Sequence, residues 1–374
     1  MKKIITVCAI SALLLGRCTP ATMPDMNPDQ TTETTVQNEE AAYVPLNFEY
    51  QKGTWLPYTE YDELMSKSEK DFRKAVKERF RKYADEGFNT VYLHVRPDGT
   101  AYYDSALFPK GTLLDGDYDP LAIMLDEAHS LGLSAHAWIN PLRLQTAEEM
   151  AGIPDNYAVK QLYNSGDAGE VGGRFYLHPD SDEVRGLLRD NVTEIIENYD
   201  IDGVHIDDYF YPTTDTDFDA VRFAESGEND MTKWRTDAIS DMVKAMYDAV
   251  KAADANVQFG ISPQGNLKAD YESQYADVKR WLAEKGFCDY MIPQIYYGFN
   301  NETLPFLPTL AEWLSLPRDE SVKLIIGLGA YKLGKEDKWA GTAGESEWLE
   351  SPDIIERQVS VVEESDANGY AVYY

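Results

Sequence analysis

The chain has 374 residues, 43% of them hydrophobic, and a formal net charge of −31. That length and apolar content allow one large domain or two smaller ones, each with a real core. So acidic a surface repels nucleic acid and anionic lipid headgroups, which argues against a nucleic-acid partner and otherwise reads as solubility.

The chain opens MKKIITVCAISALLLGRC, two lysines followed by an apolar run from Ile4 to Leu15. The run is too short for a permanent membrane span and has the form of a secretory signal. Leu15-Gly16-Arg17-Cys18 resembles a bacterial lipobox, with Arg17 where a small residue is usual. Residues 1–18 are therefore expected to be a signal peptide with a lipobox-like end and Cys18 the lipidation site. A lipid on Cys18 would hold the protein to the outer leaflet of a membrane, in the periplasm or at the cell surface; an unlipidated secreted form and a retained anchor are the alternatives. With Cys8 removed and Cys18 lipidated, Cys288 is the remaining cysteine, and no structural disulfide can form.

Residues 19–46 are rich in Pro, Thr, Asn, Gln and acids, with almost nothing to bury, and read as a disordered tether. From residue 47 to 374 short β-type runs alternate with amphipathic stretches. Eight strands are expected: KGTWLPY from Lys52, TVYLHV from Thr90, SAHAWI from Ser134, GVHID from Gly203, QFGIS from Gln258, YMIPQIY from Tyr290, KLIIGLGA from Lys323 and GYAVYY from Gly369. Helical periodicity fills the gaps, as in the stretch from Glu69 and in that from Asp182, which Ser181 caps. The pattern is that of an α/β protein, a (β/α)8 TIM barrel whose eighth helix is absent from this chain. A doubly wound open sheet is the competing layout.

Side chains alternate along a strand, so the face turned into a barrel can be separated on paper. This phase places Tyr92, His94 and Arg96 inside from the second strand and His136, Trp138 and Asn140 from the third. His205 and Asp207 come from the fourth, and Ile292, Gln294 and Tyr296 from the sixth. The histidines, deeper in the strands, are expected to satisfy one another's polar needs. Active sites of such barrels lie at the C-terminal strand ends, so Arg96, Trp138, Asn140, Asp207, Gln294 and Tyr296 should converge.

Aromatic walls from Trp138, Tyr209, Phe210, Tyr211, Tyr296 and Tyr297, with amide and guanidinium groups at the base, suit a sugar ring. Glycoside hydrolysis needs two carboxyl groups, one donating a proton and one acting as nucleophile or base. Asp207 is the nucleophile or base candidate. Asp208 qualifies as the acid if the chain turns after the strand, and Asp98, after the second strand, is the other choice. No cofactor or metal is expected. Thr54, Trp55 and Leu56 supply no ligand where metal-dependent barrels carry His-x-His, and DTDFD from Asp215 meets Ala220 and Ser226 where a calcium loop wants Gly and Glu.

Seven blocks, GFNTVYLHVRPDGTAYYDSALFP from Gly87, AHAWINPLRL from Ala135, YLHPDSDEVR from Tyr176, YDIDGVHIDDYFYP from Tyr199, FGISPQGN from Phe259, DYMIPQIYYG from Asp289 and IIGLGAYK from Ile325, resemble in order the signature blocks of the bacterial glycosyl hydrolase-like 10 family. The resemblance implies a barrel glycosidase of the cell envelope, in a family that includes enzymes acting on peptidoglycan strands stripped of peptide. On matching positions it implies site roles for Arg96, Trp138, Asn140, Arg143, His178, Asp207, Asp208, Gln294 and Tyr296, to which His205, Tyr209 and Tyr297 are added as substrate-binding candidates. Where members read Arg-Pro-x-Gly-Asp, this chain carries its aspartate at 98 and Thr100 in the last place. Two functions follow: an envelope glycoside hydrolase, or a catalytically silent glycan-binding surface lipoprotein.

Overall fold

The structure is a computed structural model that describes residues 43–65 and 68–374. The signal peptide, Cys18 and the tether up to residue 42 lie outside the described residues. Eight parallel staves follow the expected order: β1 (Gln51–Leu56), β2 (Thr90–Arg96), β3 (Ser134–Ile139), β4 (Gly203–Ile206), β5 (Gln258–Ile261), β6 (Tyr290–Met291), β7 and β8 (Gly369–Tyr373). Stave β7 is in two pieces, Lys323–Leu324 and Ile326–Gly329.

Those two pieces are the opposite ends of one hydrogen-bonded run of strands. Only Ile325 separates them, so the ends of the run meet and the sheet closes. At the seam Ile325 N–H donates to Met291 O at 2.9 Å and Gly327 N–H to Pro293 O at 3.0 Å. Stave β8 pairs with β1 on one side and β7 on the other, so the last stave presents no free edge for another chain to join.

Seven helices cover the staves: α1 (Glu69–Asp85), α2 (Pro120–Ser130), α3 (Asp182–Asn198), α4 (Met231–Ala253), α5 (Val278–Ala283), α6 (Phe306–Ser315) and α7 (Ile354–Glu363). Helix α1 shows why they form. Phe72, Val76, Phe80 and Tyr83 recur on one face and are buried, and the Ser68 hydroxyl accepts from Asp71 N–H at the start. Gly87 ends the segment at φ +88°, a left-handed conformation that costs glycine nothing. Ser181 caps α3 by accepting from Val184 N–H.

The pleat divides the apolar residues into two separate cores. Outward residues such as Val91, Leu93, Val204 and Ile206 pack under the helices. Inside the barrel lie Trp55, Tyr92, Trp138, Tyr290, Ile292, Ile325 and Ala371. Below the C-terminal mouth the Tyr290 hydroxyl meets His136 Nδ1 at 2.7 Å and His205 Nδ1 at 3.1 Å, while Trp55 Nε1 donates to His205 Nε2 at 3.1 Å. Small residues make room for these rings: a Cβ on Gly260 would stand 1.8 Å from Tyr290 Cζ.

Two features were absent from the sequence reading. Residues 140–181, between β3 and α3, form a long loop containing two short helices and an antiparallel ribbon, Ala168–Val171 with Arg174–Leu177. At the opposite, N-terminal face the arriving chain is strapped down on Asp202. Tyr43 Oη donates to Asp202 Oδ1 at 2.6 Å and Leu46 N–H to the same oxygen at 2.5 Å, while Ala135 N–H donates to Oδ2 at 2.6 Å.

Candidate active site

The C-terminal mouth of the barrel holds a cavity of about 370 Å3. Trp138, Asn140, Arg143, Asp207, Asp208, Tyr209, Gln294 and Tyr296 line it, as do Trp55, Pro57, Tyr58, Thr59, His94, Tyr331 and Tyr373. The first eight come from the strand ends and loops that the sequence indicated. Trp55 and Tyr373 were missed because strands one and eight were not phased, although Trp55 pairs with the inward Tyr92 and Tyr373 lies two places after the inward Ala371.

The two aspartates both enter the cavity. Stave β4 ends at Ile206, so strict alternation stops there and Asp208 is free to turn inward beside Asp207. Asp207 is only 3% exposed. Asn140 Nδ2 donates to both of its oxygens at 3.3 Å, and Tyr209 N–H reaches Oδ1 at 3.4 Å. Asp208 is half-buried and accepts from Gln294 Nε2 at 3.3 Å; Gln294 also donates to Ser262 O at 3.1 Å.

Burial pushes the Asp207 carboxyl well above its ordinary range, and the neighbouring Asp208 charge pushes it further. Asp208 is raised by burial too, with Gln294 pulling the other way. Two adjacent carboxyls that resist ionising together behave as one unit that gives up its second proton less readily than a free carboxyl does. A third carboxyl, Asp270, lies outside the cavity; burial raises it well above its usual value, and Gln264 N–H donates to its Oδ1 at 3.0 Å.

His94 sets the direction of Asn140. Its ring lies flat on Trp138, with centroids 3.6 Å apart and planes 8° from parallel, and its Nε2 is hydrogen-bonded to Asn140 Oδ1. Burial lowers the His94 pKa to about 3, leaving a neutral ring. Because Asn140 Oδ1 can only accept, the His94 proton sits on Nε2, and the amide must turn its Nδ2 toward Asp207. The Trp138 indole N–H, buried beside Asp207, pulls the Asp207 pKa down. Arg143 is the one cation among the cavity-lining residues described, its guanidinium 5.7 Å from the centre of the Tyr209 ring.

Five expected site residues lie elsewhere. Arg96 is fully buried on the helix side: Nε donates to Asn191 Oδ1 at 2.8 Å, Nη1 to Asp98 O at 3.2 Å, and the guanidinium is 4.7 Å from the Phe108 ring centre. The cause is a bulge in β2, where His94 pairs with Trp138 but Arg96 with Ile139. One extra residue reverses the alternation, which a reading of β2 alone does not reveal. Asp98 folds back into its own loop, accepting from Thr100 N–H at 3.0 Å, Thr100 Oγ1 at 2.8 Å and Gln145 Nε2 at 3.2 Å. His205 belongs to the interior network beneath the cavity. His178 packs on Phe218 in the long β3–α3 loop, ring centres 4.7 Å apart. Tyr297, next to the inward Tyr296, faces the outer core. Of the aromatic run after Asp208, Tyr209 alone lines the cavity; Phe210 packs on Trp281 and Tyr211 on Tyr275. Among the described residues no group of three or more His, Cys, Asp or Glu side chains is arranged to hold a metal.

Comparison with known proteins agrees with this architecture. The profile of the family described as Glycosyl hydrolase-like 10 matches residues 52–341. The glycosyl hydrolase YngK of Bacillus subtilis is 33% identical over 295 residues, covering 70% of this chain and 57% of YngK. The glycosyl hydrolase DigH of Escherichia coli K12 is 31% identical over 289 residues, covering 67% of this chain and 64% of DigH. The chain thus spans less than two thirds of the length of these relatives. Among solved structures, the glycoside hydrolase domain of PgaB (BpsB) from Bordetella bronchiseptica superposes with a TM-score of 0.57 at 13% identity, covering 87% of this chain and 94% of that one. An α-amylase from Geobacillus thermoleovorans gives 0.51 at 12%, covering 88% and 71%. At such identities these two structures speak for the shared barrel fold alone.

Proposed function

The chain belongs to the glycosyl hydrolase-like 10 family, and from that premise we propose that it is a glycoside hydrolase of the bacterial cell envelope whose substrate is the amino-sugar glycan of peptidoglycan. One observation carries the reading: two adjacent carboxyls, buried Asp207 and half-buried Asp208, share the floor of a cavity walled by Trp55, Trp138, Tyr296 and Tyr373. Aromatic faces suit the apolar sides of pyranose rings, and a carboxyl pair that keeps a proton offers an acid and an ionised partner at one place. The signal sequence and lipobox-like end support the envelope location.

The division of labour follows from burial. Asp207 is the deeper of the two, 3% exposed, and both burial and the neighbouring Asp208 charge raise it, so we assign it the proton donated to the leaving oxygen. Asp208, more open, carries the negative charge and serves as nucleophile or base. This reverses the roles inferred from strand phase, because phase says which side chain enters the barrel and nothing about which one holds a proton.

The test is release of new reducing ends from peptide-free peptidoglycan strands. Asp207→Asn and Asp208→Asn should each lower the rate roughly 10²–10⁴-fold while strand binding persists. Added azide should restore strand cleavage to Asp208→Asn, with a glycosyl azide formed in place of the new reducing end and the proton of Asp207 passing to the leaving oxygen, and should leave Asp207→Asn inactive. Binding without any new reducing ends, on these strands and on a panel of other bacterial and host glycans, would make the protein a glycan-binding lipoprotein instead.

A further inference from the structure

The loop after β7 carries a second surface beside the cavity. Tyr331 lines the cavity and also a shallow depression of about 380 Å3 formed with Lys332, Lys335, Glu336, Asp337, Lys338 and Trp339. Its ring lies 5.8 Å from Tyr296 and 5.7 Å from Tyr373, so aromatic surface runs without a break from the carboxyl pair to the depression.

Three properties of this loop are unusual in this chain. Trp339 is 90% exposed, a large apolar surface to leave in water beside a cleft. Lys332 is paired with Asp337 at 2.8 Å, but among the described residues Lys335 and Lys338 have no carboxylate partner. That is notable with 65 Asp and Glu against 34 Lys and Arg. Lys335 instead lies 6.0 Å from the centre of the Tyr331 ring. Finally, the loop is braced from below: buried Asp337 accepts from Trp339 N–H at 3.2 Å, and its own N–H donates to Glu345 O at 2.8 Å. The display of indole and ammonium groups is thus set before a ligand arrives.

We propose that this loop is a subsite for a carboxylate-bearing sugar of the glycan chain held in the cleft, a reading that rests on the glycan assignment of the cavity. The Trp339 indole stacks on the sugar face, and the Lys335 and Lys338 ammonium groups bind its carboxylate. Exposed Glu336 lies in the same depression, leaving one net positive charge after the Lys332–Asp337 pair cancels. Two sources supply such a sugar: the lactyl group of muramic acid once its peptide is removed, and a uronic acid.

Equilibrium binding to the full chain distinguishes them, using peptide-free peptidoglycan strands, the same strands with carboxyls reduced to alcohols, and an oligouronate. The native strands should bind about fivefold more tightly than the reduced ones at low salt, with the gap narrowing as salt is added. Lys335→Ala combined with Lys338→Ala should erase the gap, and Trp339→Ala should weaken both forms. A comparable preference for the oligouronate assigns recognition to carboxylated sugars in general, and its absence assigns it to the lactyl group. Equal affinity for native and reduced strands overturns the subsite, even if both are cleaved. Carboxylate-dependent binding that needs the two lysines, without cleavage, keeps the subsite and removes the hydrolase reading.

Discussion

Asn140 offers its side-chain amide to both carboxylate oxygens of Asp207, at 3.3 Å each, while its own oxygen is hydrogen-bonded to His94. The three side chains form a line that fixes one carboxyl at the cavity floor. Burial dominates the Asp207 titration, but the Asn140 amide pulls it downward. Asn140→Ala should therefore raise the pKa of the pair, shift the pH profile of hydrolysis toward alkaline values and lower kcat roughly 100-fold. A profile that keeps its wild-type midpoints would show that the amide does not act on Asp207.

The same carboxyl should weaken the fold at neutral pH. Its folded pKa lies above its unfolded value, so the stability it contributes is complete below the unfolded pKa, near 3.9, and is lost as pH rises through the folded value. Asp207→Asn keeps the shape without the charge. It should stabilise the protein by about 1–2 kcal/mol at pH 7 and by nothing measurable near pH 3, as followed by thermal unfolding across that range.

Arg96 should matter for the barrel and not for the substrate. Its guanidinium holds Asn191, the Asp98 carbonyl and, at 3.4 Å, the Pro141 carbonyl. An ammonium cannot reproduce that planar fork. Arg96→Lys should cost about 2–3 kcal/mol in urea unfolding, with KM unchanged for the folded fraction. A raised KM at unchanged stability would return Arg96 to the cleft.

Gly260 is the tightest point of the interior. Alanine there would put a methyl 1.8 Å from Tyr290 Cζ, and that ring cannot retreat without breaking its bonds to His136 and His205. Gly260→Ala should lower the unfolding free energy by about 3 kcal/mol or prevent accumulation of soluble protein. Gly186→Ala, on α3 with its nearest neighbour at 3.7 Å, is the control that should be neutral or mildly stabilising.

The eight staves were legible because each is a short apolar run between turn residues, and period two then put Trp138, Asn140, Asp207, Gln294 and Tyr296 on one side. The same rule failed at Arg96, where a bulge inserts one residue. A bulge depends on how a strand registers with its neighbour, and that neighbour lies about forty positions away in the sequence. Asp208 could be stated only conditionally, since its direction depends on where β4 ends. The loop aromatics Tyr58, Tyr331 and Trp339 carry no period at all; their neighbours are decided by loop conformation. His94 was phased correctly and misjudged in role: with its Trp138 stack it is cavity floor, one layer above His136 and His205, which are joined through the Tyr290 hydroxyl and not to each other.

Asp202 and Asp207 sit at the two ends of β4. At one, Tyr43 and Leu46 fasten the arriving chain; at the other, the carboxyl pair opens into the cavity. The four strand residues Gly203–Ile206 lie between them, five residue steps that span roughly 16 Å. The barrel therefore has a back and a front: the Tyr43–Leu46 strap closes on one end of this stave, and the mouth opens at the other. A load applied between the strap and the mouth therefore runs along a single stave and not across the cleft.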